Sequence, residues 1–90
     1  MGRVADRLRE ALQHSFGPER LDITDDSDRH AGHAGAHPEG ESHFSITIVS
    51  SAFTGLSRVE RQRRVYAVLS AELAGPVHAL SLKALAPGEA

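Results

Sequence analysis

Histidine is the residue type that stands out in this chain. There are six, and four of them lie between His30 and His43. The run His30-Ala-Gly-His33-Ala-Gly-Ala-His37 spaces three imidazoles with small residues. Neutral imidazole is the commonest metal ligand in proteins, and a loop can bring several rings to one ion. The same spacing also suits a solvated polar loop. His43 opens a strand-like run on its polar side, where it either bonds the strand end or supports a metal site. His78 opens the last strand-like run on its apolar side, as a hydrogen-bonded core-edge residue or as a ligand. His14 falls near the end of the first helical stretch, where it compensates the helix dipole.

Arginine supplies the second grouping. Arg58, Arg61, Arg63 and Arg64 fall within seven residues. Such a cluster can contact phosphate. It can equally be a solvated helix face, because Glu60 and Glu72 dilute it and the net charge is −2. That charge argues against bulk binding to polyanions and leaves a local patch open.

Other chemistry has little to stand on. There is no cysteine, which removes disulfides, thiol catalysis and any self-sufficient thiolate metal site. Ser27 and Ser42 lie near histidines, but no nucleophile elbow surrounds them. No phosphate-binding glycine loop is present. Asp22 and Asp26 share a strand face directed at solvent. The expectation is a protein without catalytic turnover.

The elements that position these residues can be read from periodicity. Val4, Leu8, Ala11, Leu12 and Phe16 recur at helical spacing, and Gly17-Pro18 stops the helix. Leu21 to Asp25 alternates as a short strand. Residues 27–41 carry glycine, proline and no apolar period, and form a long loop. Ser42 to Ser51 alternates strongly, with Phe44, Ile46 and Ile48 on one face. Ser57-Arg58-Val59-Glu60 is a capping box. The helix it opens runs to about Leu73, with Val59, Tyr66, Leu69 and Leu73 as its core stripe and Val65 beside them. Gly75-Pro76 ends it. Val77 to Leu85 alternates again, and the tail from Ala86 to Ala90 is expected to fray.

Ninety residues with 40% hydrophobic and 24% charged content make one domain, spanning 1–90 with a core over about 4–85. The order helix, strand, strand, helix, strand implies an α+β fold. Two helices cover one face of a three-stranded sheet, and the last strand is placed to pair in parallel. The other face carries Thr24, Ser45, Thr47, Ser81 and Lys83 and stays open. No apolar run is long enough for a membrane helix, and the N-terminal stretch has no apolar leader. The expected location is cytoplasmic.

The segments DDSDRHAGHAG, GESHFSITIVSSAFTGLSRVERQRRVYAVLSAEL and GPVHALSLKALAPGE, in that order, resemble the BolA family over residues 4–89. The resemblance implies a class II KH-like fold of order αββαβ. It also implies a partner, a monothiol CGFS-type glutaredoxin, with which a [2Fe–2S] cluster is shared and to which glutathione contributes. The histidine of VHAL carries over as a ligand, His78. The second ligand would come from the loop, as His33 or His30, because this chain has no cysteine to offer there. His43, in SHF, would support the site. Imidazole must be neutral to bind iron, so such a cluster should loosen as pH falls towards about 6.

The resemblance carries a second implication, DNA-binding transcriptional regulation through the R-x-R helix and the preceding F-x-G turn. This maps to Arg61 and Arg63 with Phe53 and Gly55, and Arg58 and Arg64 extend the patch. Gln62 stands where the family commonly has histidine. A blander use of the loop is divalent metal binding, zinc for example. The free chain is expected as a monomer or weak dimer.

Overall fold

A computed structural model describes residues 3–26, 43–75 and 77–89. The elements are α1 (Arg3–Phe16), β1 (Arg20–Asp25), β2 (His43–Val49), a 3-10 turn (Ser51–Phe53), α2 (Arg58–Val68), α3 (Ser70–Ala74) and β3 (Ala79–Leu85). This is the α+β, αββαβ arrangement expected, with the second long helix broken once. No described helix is long and apolar enough to cross a membrane.

Strand β2 is central. It pairs antiparallel with β1, Ile23 opposite Ile46, and parallel with β3, Ile46 opposite Leu82. The pleat sends Phe44, Ile46 and Ile48 under the helices, where all three are buried. Helix α1 meets them with Val4, Leu8 and Leu12, the stripe its spacing dictates. The outer sheet face carries exposed Thr24, Ser81 and Lys83 and half-buried Ser45 and Thr47. Gly17, at φ 51°, donates its N–H to Gln13 O and closes α1, a conformation that favours glycine.

The second helix differs from expectation in two ways. Its capping box forms: Glu60 N–H donates to Ser57 Oγ and the Glu60 side chain reaches back to the Ser57 N–H. The helix then breaks at Leu69, whose φ and ψ of −95° and 12° leave the helical range. Hydrogen bonds from Leu69 N–H to Val65 O and Leu73 N–H to Leu69 O bridge the break. The buried stripe also has another phase. Val65 and Leu69 are buried and Leu73 packs against them, but Val59 is 56% exposed. The position facing inward one turn before Val65 is Arg61, whose side chain is only 12% exposed. Its aliphatic stem takes the place an apolar residue would fill.

One buried polar residue ties the layers together. Ser50 is 1% exposed. Its hydroxyl donates to Phe16 O at 2.6 Å and accepts from Ala52 N–H, and its own N–H donates to Leu85 O. It joins the end of α1, the 3-10 turn and the end of β3. Ser50→Ala should cost about 0.5–1.5 kcal/mol, because it removes two part-buried hydrogen bonds. Denaturant unfolding checks this, as a lower midpoint at unchanged slope.

Candidate functional site

Three chain segments converge at one end of the sheet. In the parallel register His43 lies beside Ala79, so His78 sits one residue beyond the paired strands. Asp26 N–H donates to His43 O at 2.7 Å, and the Asp26 carboxylate accepts from Ser45 Oγ. Residues 26 and 43 bracket the histidine-rich segment, so both of its roots are fastened at the end of the sheet that carries His78. His30 and His33 themselves lie outside the described residues.

The backbone around His78 is fixed on both sides. Val77, 3% exposed, plugs the core, and its N–H donates to Glu72 O at 3.0 Å. Strand pairing starts at Ala79. Between these anchors His78 is exposed. It precedes β3 instead of opening it, so its expected place on the apolar face is corrected to one at solvent. His43, the first residue of β2, is half-buried. Among the described residues no three His, Cys, Asp or Glu side chains are grouped to hold a metal ion. The described donors at this end are the imidazoles of His43 and His78 and the carboxylates of Asp25 and Asp26, and a complete site needs donors from the loop or from another molecule.

The opposite end of β3 carries the arginines. Arg58, Arg63 and Arg64 are exposed on α2. Arg61 is not. Its Nε donates to Leu56 O at 3.0 Å and its Nη1 to Ala84 O at 3.2 Å, while Nη1 and Nη2 reach Glu89 Oε1 and Oε2 at 2.6 and 3.0 Å. Phe53 is fully buried, with its ring 5.0 Å from that of Phe16. It serves the core, while Gly55, at φ 80°, serves the turn that follows.

Residues 86–89 of the tail make defined contacts. Ala86 is buried, Glu89 N–H donates to Ala86 O, and Gly88 takes a φ of 91°. Pro87 and Gly88 occupy the middle of what matches a type II turn, a signal present in the A-P-G-E sequence. The Arg61 guanidinium, the Ala86 N–H and the attraction between opposite charges hold the Glu89 carboxyl down from an ordinary 4.5 to about 2. A carboxyl lowered on folding stabilises the native state above its unfolded value and loses that contribution as pH falls through its folded value. The tail contact should thus be intact above about 4.5 and fail towards about 2. An NMR titration of the Glu89 carboxyl carbon checks this.

The chain matches known proteins over nearly its whole length. Residues 12–89 fit the family model described as BolA-like protein. It is 43% identical over 89 residues to BolA-like protein 1 of Bos taurus, covering 99% of this chain and 63% of that protein. The chain thus spans just under two thirds of that relative. It is 40% identical over 79 residues to the DNA-binding transcriptional regulator BolA of Escherichia coli, covering 88% of this chain and 71% of the relative. The BolA domain of SufE1 from Arabidopsis thaliana superposes with a TM-score of 0.87 at 42% identity, covering 100% of this chain and 99% of that one. The convergent sheet end, the R-x-R helix and these matches place the chain in the BolA-like protein family.

Proposed function

We propose that this protein is an adaptor that shares a [2Fe–2S] cluster with a monothiol CGFS-type glutaredoxin. His78 and a loop histidine, His33 ahead of His30, are the ligands from this chain, and His43 supports them. The observation that carries the reading is the register: it fastens the roots of the histidine-rich segment beside an exposed His78. The donor chemistry fits the group. The chain has imidazoles and no thiolate, so the partner and glutathione supply sulfur to the cluster. Two imidazoles on one iron raise the reduction potential of such a cluster. This chain's part is to present His78 at the sheet end, where Val77 anchors the backbone just before it. The cluster is cargo, and no turnover is assigned to the chain.

The test is reconstitution of a monothiol glutaredoxin with glutathione, iron and sulfide, followed by visible circular dichroism with and without this protein. A new spectrum for the mixture is expected. A spectrum identical to that of the glutaredoxin alone would overturn the reading.

A second reading, nucleic-acid binding, has its own support. Arg58, Arg63 and Arg64 are exposed along one helix, and the Escherichia coli relative is named a DNA-binding regulator. Its mark would be affinity that falls steeply with salt.

A further inference from the structure

The seat around Arg61 is more buried than the group that fills it, with the Arg61 side chain 12% and the Glu89 side chain 44% exposed. Nε and Nη1 of Arg61 are fixed by the carbonyls of Leu56 and Ala84, which sets the plane of the guanidinium. Its fork and the Ala86 N–H then present donors to one carboxylate, that of Glu89. Ala86 is 4% exposed. Pro87, Gly88 and Glu89, by contrast, are all exposed. They are held by the Glu89 contacts and one turn hydrogen bond from Glu89 N–H to Ala86 O. A three-donor seat is thus closed by a carboxylate that its own chain supplies from an exposed turn.

We propose that the Arg61–Ala86 seat is a phosphate-binding site, closed in the free protein by Glu89 as an intramolecular stand-in for the ligand. Arginine forks match phosphate oxygens in the same bidentate way as carboxylates. A carboxylate from another molecule would have to displace one tethered at high effective concentration. A phosphate group brings further attraction, because exposed Arg58 and Arg64 lie three residues either side of Arg61. Free phosphate and a nucleic-acid backbone share this chemistry, and the experiment distinguishes them. The site lies at the end of β3 away from His78 and does not depend on the cluster assignment.

The experiment titrates the wild-type chain and Glu89→Gln with inorganic phosphate, and separately with a short single-stranded oligonucleotide. The Arg61 Nε–H resonance is the readout. Glu89→Gln is expected to bind at least one probe about tenfold more tightly than wild type, and Arg61→Lys in that background should abolish the gain. Gain with phosphate identifies a free anion as sufficient, and gain with the oligonucleotide alone identifies a polymer backbone. Equal affinity of wild type and Glu89→Gln for both probes would overturn the proposal and leave Glu89 as a brace. In the wild type itself, saturating probe should move the Glu89 carboxyl resonance to that of an unpaired carboxylate. No movement at saturation would also overturn it.

Discussion

Replacing His78 with alanine should remove the shared-cluster spectrum or convert it to that of the glutaredoxin alone. His78 is exposed, so the substitution opens no cavity and should leave the fold intact. Loss of an iron ligand is expected to exceed the 10–100-fold affinity loss typical of altering a group that merely orients a ligand. His43→Ala, by the same reasoning, should weaken the cluster within that range. Visible circular dichroism of the reconstituted complex measures both. Unfolding curves of the free variants separate ligand loss from misfolding.

Phe53→Ala should have the largest effect on stability, about 3–5 kcal/mol. Phe53 is 0% exposed, and its ring lies against Phe16 at the junction where Ser50 ties α1 to β3. The loss combines removal of a buried aromatic with the cavity it leaves. Typical domains are stable by about 5–15 kcal/mol, so a 90-residue chain would approach the limit of folding. Any loss of nucleic-acid or partner binding in this variant would follow unfolding. Denaturant titration distinguishes this from a contact role, because a contact residue would weaken binding at unchanged stability.

Much of the architecture was legible where one physical pattern dominated. Helix α1 announced itself through Val4, Leu8 and Leu12, and β2 through Phe44, Ile46 and Ile48, because burial on one face imposes its period on the residue types. The phase of α2 was less legible. An arginine fills the inward position before Val65, and apolarity alone therefore pointed to Val59. The order of the tail rests on an ion pair between residues 61 and 89, whose distance in sequence hides it. The local P-G turn was the available clue. Ser50 gave no signal, since a serine after a strand is ordinary until its three neighbours are known.

The candidate site was partly legible for a related reason. Residue type singled out His43 and His78, but their proximity depends on parallel pairing of His43 with Ala79, which periodicity cannot specify. The R-x-R pair looked equivalent in sequence. The fold separates them, with Arg63 exposed and Arg61 held by two carbonyls and Glu89. Nucleic-acid contact, if tested by substitution, should therefore be read from Arg58, Arg63 and Arg64, with Arg61 treated as part of a closed seat.

In the proposed complex, histidine of this chain binds iron shared with the partner. The most direct measurement is pulsed electron paramagnetic resonance on the reduced complex, with histidine of this chain labelled with nitrogen-15 and the glutaredoxin and glutathione unlabelled. Strong nitrogen-15 coupling to the cluster is expected, diminished in His78→Ala. A reduced cluster with no nitrogen-15 coupling from this chain would contradict it.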